Sequence, residues 1–280
     1  MPLDITPTGQ ACGAHVRGID LTQPLSDSDV EEIRTAWLEH LVLVFPNQPM
    51  SNGDLERFTR YFGPFGDDPF FGSIPGHPHI AAIQRDAGET TPLFAESWHT
   101  DWSFQEHPPQ GTCLFGITIP PQGGNTRFAN QYLAYEQMPA LLRSRLEGKQ
   151  AIHSARIPYG PDGMYGRTDR DSGRSMDIRV SEAALAEQRH PILRVHPETG
   201  RKGVFGSLGY IVGIDGMATE EALPLVKELY DWQSRAEFIY DHAWEANMLV
   251  LWDNRSVLHQ ATGGYDGHAR LLHRTTIGSA

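Results

Sequence analysis

Apolar residues along this chain change their period several times, and each change marks an element. From Ser26 to His40, Val30, Ile33 and Trp37 recur with helical spacing. Ser26 stands where a cap is needed, and Asp27, Asp29, Glu31 and Glu32 suit the positive end of the helix dipole. The apolar run Leu41 to Phe45 follows directly as a short strand. Ser51 to Phe62 repeats the design: Ser51 caps, Leu55, Phe58 and Phe62 share a face, and Gly63 stops the helix. Phe65 to Phe94 is rich in Gly, Pro and Asp, with a strand at Ile80 to Gln84. Trp98 to Phe104 and Thr112 to Pro120 read as strands, and Pro121 to Asn125 as a turn. Gln131 to Gly148 is helical in two pieces, because Pro139 fits the start of a second helix better than a helix interior.

The pattern then lapses. Arg156 to Arg189 scatters Gly and Pro among Arg and Asp, the composition of an insertion, at about 154–190, that closes over a site as a lid. After it come strand pieces at Ile192 to His196 and Gly203 to Gly206, and a capped helix from Thr219 to Ser234. Strands follow at Phe238 to Trp244, Met248 to Trp252 and Arg270 to Ile277. Short strands at both ends, helices between them and no repeating βαβ rhythm predict a mainly β fold with flanking helices, a β-sandwich or jelly roll, as one domain over 1–280.

Composition narrows the field. With 39% hydrophobic residues, 6 Trp, 12 Phe and 9 Tyr, the 280-residue chain has material for a large core. A formal net charge of -12 with no Lys/Arg cluster speaks against nucleic acid as a partner. Cys12 and Cys113 are too few and too far apart for a disulfide framework or a thiolate metal site. The N-terminus lacks a signal-peptide order, and no apolar run is long enough to span a bilayer, so a cytoplasmic protein that makes no use of membranes is expected.

The candidate chemistry begins at Trp98-His99-Thr100-Asp101-Trp102, where an imidazole and a carboxylate two residues apart point to one face of a strand. Two His and one carboxylate on one triangle suit a non-haem iron(II) oxygenase, leaving the opposite positions free. A second His must come from elsewhere. Chance alone supplies roughly one or two His-x-acid triplets in such a composition, and His196-Pro197-Glu198 is the rival; it precedes the turn signal Thr199-Gly200-Arg201, a poor setting for two ligands. His153, His190, His242 and His273 are read as buried hydrogen-bonded residues.

The stretch Leu251-Trp252-Asp253-Asn254-Arg255-Ser256-Val257-Leu258-His259, followed by Arg270-Leu271-Leu272-His273-Arg274, makes the reading specific. With His99 and Asp101 it resembles the taurine dioxygenase and 2,4-D dioxygenase (TauD/TfdA) family from about Leu3 to Ile277. The resemblance implies a double-stranded β-helix, the cupin-like jelly roll. It also implies iron(II) held by His99, Asp101 and His259, with 2-oxoglutarate and molecular oxygen as co-substrates. Arg270 would pair with the far carboxylate of 2-oxoglutarate, since a guanidinium fork matches a carboxylate, and Thr126 of Gly123-Gly124-Asn125-Thr126 would add a hydroxyl donor. Strand period puts Arg270, Leu272 and Arg274 on one face, which makes Arg274 a second candidate for the co-substrate or for an acidic substrate group.

The implied reaction is oxidative decarboxylation of 2-oxoglutarate to succinate and carbon dioxide, coupled to hydroxylation of a small organic substrate. Halogenating relatives lack the carboxylate that Asp101 supplies. Where the taurine enzymes use a His and an Asn to hold the sulfonate, this chain has Asp68 and Ala95, and a carboxylate would repel a sulfonate. Taurine is therefore not the expected substrate. Phe70, Phe71, Trp102, Phe104 and Tyr159 flank the family's cavity and suggest a larger apolar or aromatic substrate, an acid if Arg274 binds it. Family members are commonly dimers or tetramers. Two other readings compete: a cupin-like metal-dependent hydrolase or isomerase, for which Arg270 and Thr126 have no use, and a non-catalytic sandwich that binds a small acid.

Overall fold

The computed structural model describes residues 3–166 and 173–279. An eight-stranded sheet forms its spine, in the order Asp4–Pro7, Ala14–Arg17, Val42–Phe45, Leu249–Asp253, Gly111–Thr118, Arg270–Ile277, His77–Arg85 and Ser73–Ile74. A three-stranded sheet of Ile239–His242, Thr126–Asn130 and Val257–Ala261 faces it. The fold is the jelly roll expected from the sequence. Further strands at Gln150–His153, Gln188–Pro191 and Ile211–Ile214 form a third sheet, and Leu193–Val195 pairs with Lys202–Val204.

The strand Val42–Phe45 shows why the sandwich forms. It is apolar without alternation because both of its faces are buried. Val42 and Val44 pack inward with Leu114, Val250, Leu272 and Phe128 of the small sheet. Leu43 and Phe45 pack outward against Ile33, Trp37, Leu55 and Phe58 of the helices Asp27–His40 and Asn52–Phe62. Both helices begin with complete capping boxes, Ser26 with Asp29 and Ser51 with Asp54. Leu41 is not part of the strand; it closes the first helix in the left-handed region, at φ 66°.

Several boundaries differ from expectation. Pro139 does separate two helices, Gln131–Glu136 and Ala140–Leu146. The helix Thr219–Gln233 has Ala218 at its cap position and no side-chain cap. Within the expected insertion, Arg156–Tyr159 forms a helical turn and Glu182–Leu185 a 3-10 turn; 167–172 lie outside the described residues.

The strand expected at Trp98 to Phe104 is absent. His99 makes an isolated bridge to His259, and the chain then turns, with Trp102 in the left-handed region at φ 47°. Local bonds displace a ladder here: the Thr100 hydroxyl donates to the Asn254 carbonyl at 2.6 Å, and the Gln105 backbone N–H closes the turn onto the Trp102 carbonyl.

Candidate active site

Although His99 and Asp101 do not share a strand, the turn delivers them to one point. His99 exchanges both backbone hydrogen bonds with His259, at 3.0 and 2.7 Å. That pairing lays the two imidazoles together, with ring centroids 4.1 Å apart. Asp101 Oδ1 lies 3.7 Å from His259 Nε2, and one ligand atom from each of the three residues falls within 4.8 Å of the others. Among the described residues no other group of His, Cys, Asp and Glu is arranged to hold a metal.

The surroundings fix the ligands' protonation and orientation. His99 Nδ1 donates to the Ser97 carbonyl at 2.8 Å, which leaves Nε2 as the lone pair for a metal. Burial pushes both imidazoles toward the neutral form, His259 down to about 3. For Asp101, burial alone would raise the carboxyl; His259, Arg274 and His99, with the Thr112 hydroxyl, outweigh it and hold the group below the usual carboxylate range. Two neutral nitrogens and one anionic oxygen result, the donor set that iron(II) accepts with three positions left open.

A second layer was not read from the sequence. The Thr112 hydroxyl donates to Asp101 Oδ2 at 2.6 Å and accepts from Asn254 Nδ2 at 2.9 Å, while Trp252 Nε1 donates to Asn254 Oδ1. Asn254 thus steers Asp101 through Thr112, leaving Oδ1 on the side of His259 Nε2. The neighbouring Asp253 accepts from His196 and Arg255, and Arg255 also donates to Glu198. His196 is accordingly a structural residue, as its turn setting implied.

His99, His259, Thr126, Arg270 and Arg274 line a cavity beside the candidate ligands. Arg270 and Arg274 come from one face of the strand Arg270–Ile277, where buried residues alternate with half-buried Leu271 and His273. Their partners differ. The Arg270 side chain forms no ion pair or hydrogen bond among the described residues, its Nε is buried without an acceptor, and burial pulls it down to about 10. Thr126 accepts from Trp244 Nε1 at 2.9 Å, so its own hydroxyl hydrogen is free to point into the cavity. Arg274, in contrast, donates to Asp68 at 2.6 Å and lies over the faces of Phe71 and Trp102.

The other residues expected around a substrate are dispersed. Ala95 lines this cavity and also a neighbouring one of about 270 Å³, where Tyr159 joins it with Phe94, Tyr165 and Tyr210. Phe70, Phe71, Trp102 and Phe104 pack with Tyr159 in a buried aromatic cluster and line neither cavity; they are wall-backing rather than wall.

A jelly roll that gathers two His and one carboxylate near a buried arginine with no ion pair among the described residues has the features of a mononuclear iron oxygenase that takes an anionic co-substrate. The chain belongs to the family described as taurine catabolism dioxygenase TauD, TfdA family, whose model matches residues 4–276. It is a 2-oxoglutarate-dependent dioxygenase, an oxidoreductase that uses iron(II), 2-oxoglutarate and molecular oxygen to oxidise a small organic molecule. The alternatives of a cupin-like hydrolase or isomerase and of a non-catalytic binder are not favoured.

It is 32% identical over 299 positions to the alpha-ketoglutarate-dependent 2,4-dichlorophenoxyacetate dioxygenase of Cupriavidus pinatubonensis, covering 100% of this chain and 99% of the relative. It is also 32% identical over 267 positions to an alkylsulfatase of Acinetobacter baylyi, covering 95% and 81%. Among solved structures, a taurine dioxygenase from Burkholderia xenovorans superposes with a TM-score of 0.82 at 30% identity, covering 100% of this chain and 92% of that one.

Proposed function

We propose that the whole chain, 1–280, works as one catalytic domain in which His99, Asp101 and His259 hold iron(II), and that Arg270 and Thr126 take the far carboxylate of 2-oxoglutarate. The observation that carries this reading is Arg270, a buried cation whose side chain has no ion pair among the described residues, in the cavity that His99 and His259 line. Bound iron supplies the oxidising chemistry: 2-oxoglutarate is decarboxylated to succinate as dioxygen is reduced and the substrate hydroxylated. The chain's own residues do the positioning. Ser97 fixes the His99 tautomer, Thr112 and Asn254 orient Asp101, Trp244 aims the Thr126 hydroxyl, and the apolar walls limit water.

The substrate reading is a small organic molecule with an apolar or aromatic body, taurine being disfavoured by Asp68 and Ala95. Support comes from Phe94, Tyr159, Tyr165 and Tyr210 on the neighbouring cavity wall and from the aryloxy acid and alkyl sulfate chemistry in the relatives' names. Tyr159, Arg174 and Met176, from the segment at 154–190, line these cavities, which supports a role for that segment in closing the site; unchanged substrate affinity after shortening it would oppose that role. A cytoplasmic enzyme without nucleic-acid or membrane partners fits the net charge and the two free cysteines. Light scattering tests for the dimer or tetramer that the family resemblance suggests.

The deciding experiment adds iron(II) and 2-oxoglutarate to the protein without oxygen and records the visible charge-transfer band. The band should form in the native protein and be absent in His99→Ala. Iron binding without a band in the native protein would overturn the co-substrate assignment. A panel of aryl and alkyl substrates, followed by succinate release, tests the substrate class, and turnover confined to small aliphatic sulfonates would refute it.

A further inference from the structure

A buried guanidinium on a cavity wall is ordinarily an anion receptor. This cavity carries two from one strand face, four residues apart, and the fold treats them differently. Arg270 is left bare. Arg274 has Asp68 Oδ2 at 2.6 Å on one amino group and Asp101 Oδ1 at 3.7 Å from the other. Its Nε is buried without an acceptor.

Asp68 reaches Arg274 because of how the preceding loop is fixed. Phe65 bridges Ile277, and the Gly66 amide donates to the Thr276 carbonyl at 3.0 Å. A Cβ at Gly66 would meet Thr276 Oγ1 at 2.8 Å, so only glycine lets the loop lie this close to the strand. The carboxylate therefore comes to the guanidinium as part of the loop's docking, across 206 positions of sequence.

We propose that Asp68 is a specificity-determining residue: by occupying Arg274 it removes the second anion site from the cavity, so that the primary substrate meets this wall with an uncharged group. The proposal rests on the reading that the primary substrate is oxidised in this cavity. An anionic group placed here has to displace the Asp68 carboxylate, whose side chain is only 23% exposed and whose Oδ1 already lacks a hydrogen-bond donor. An uncharged ester, ether, ketone or ring leaves the pair intact. Specificity of this kind comes from a penalty against the wrong ligand rather than from a contact to the right one.

Methanesulfonate and dimethyl sulfone test this directly, since both are small and tetrahedral at sulfur and differ by one negative charge. Each is titrated calorimetrically, without oxygen, into enzyme loaded with iron(II) and saturating 2-oxoglutarate, which keeps Arg270 occupied. In the native enzyme methanesulfonate should bind no more tightly than the sulfone. In Asp68→Asn it should bind at least about tenfold more tightly than in the native enzyme, with the sulfone unchanged. Asp68→Glu, which keeps the charge, should behave as native, and adding Arg274→Met to Asp68→Asn should abolish the gain. A general loosening of structure would move both probes together.

Native enzyme that already prefers methanesulfonate in an Arg274-dependent manner overturns the proposal. So does an unchanged probe ratio in folded Asp68→Asn; Asp68→Ser, judged by the same ratio, replaces it if its circular dichroism is not native. The charge-transfer band of the same samples reports the co-substrate reading separately. A missing band beside an Arg274-dependent gain would sink that reading and leave Asp68 in its role.

Discussion

Replacing Arg270 with Met should make the ligand-free protein more stable and the 2-oxoglutarate complex weaker, two changes in opposite directions from one substitution. Burial pulls Arg270 from its ordinary range down to about 10, so holding it charged at neutral pH costs roughly 3 kcal/mol of folding free energy. Among the described residues no carboxylate offsets that cost. Methionine fills nearly the same space beside Gly124 and Tyr265 without the charge, and urea denaturation of the apoprotein should show a gain of about 1–3 kcal/mol. A charge-assisted fork to a carboxylate contributes about 3 kcal/mol or more, so the 2-oxoglutarate dissociation constant should rise on the order of a hundredfold. Titrating the anaerobic charge-transfer band gives that constant. If Arg270→Met destabilises the apoprotein and leaves 2-oxoglutarate affinity unchanged, Arg270 is a packing residue and the argument from its missing counter-charge is wrong.

Thr112→Val keeps the shape of the site but strips Asp101 Oδ2 of its donor and Asn254 of its acceptor; iron(II) affinity, read by competition with a chelator, should fall roughly 10- to 100-fold with the fold intact. Asp253→Asn leaves Arg255 and His196 facing a neutral group in a buried network, and thermal and urea unfolding should show a loss of about 3–5 kcal/mol. His153 and His242 are both held down to about 3 by burial. Because they stay neutral when folded but take a proton below about 6.5 when unfolded, each withdraws stability progressively as pH falls from about 6.5 toward 3, by roughly 1.4 kcal/mol per pH unit. The urea midpoint of His153→Gln should therefore depend less steeply on pH across that window, and an unchanged slope would count against a neutral buried His153.

The capped helices, the doubly buried strand Val42–Phe45 and the inward alternation of Arg270, Leu272 and Arg274 were legible because each follows from local periodicity or a cap. Val257–Ala261, which carries His259, was not assigned as a strand because its burial pattern does not alternate and only tertiary pairing with Thr126–Asn130 defines it. Trp98 to Phe104 was misassigned for the converse reason: a good β sequence lost its ladder to side-chain bonds from Thr100 and to the turn at Trp102. The three candidate ligands still come together, since a His and an Asp two residues apart can converge from a turn as well as from a strand. The Asp68–Arg274 pair had no local signature at all; sequence suggested that Asp68 repels an anion, but not that it does so by taking the arginine.

The Trp-Asp-Asn-Arg segment gains its meaning from where the chain crosses between sheets. Leu249–Asp253 ends in the large sheet and Val257–Ala261 begins in the small one, so only residues 254–256 span the gap. Asn254 anchors the crossing to Thr112 and through it to Asp101, while its carbonyl accepts from Thr100, between the two ligands of the first motif. Asp253 and Arg255 tie the same crossing to His196 and Glu198, and Glu198 pairs with Arg34 on the first helix. His259 then follows four residues later and pairs its backbone with His99. The three candidate ligands are thus tied to one junction, with only His259 carried on a regular strand. A disturbance at 253–255 must reach Asp101 through Thr112 and His259 through the strand Val257–Ala261 at once, so substitutions there should weaken metal binding even though none of these residues is among the three candidate ligands.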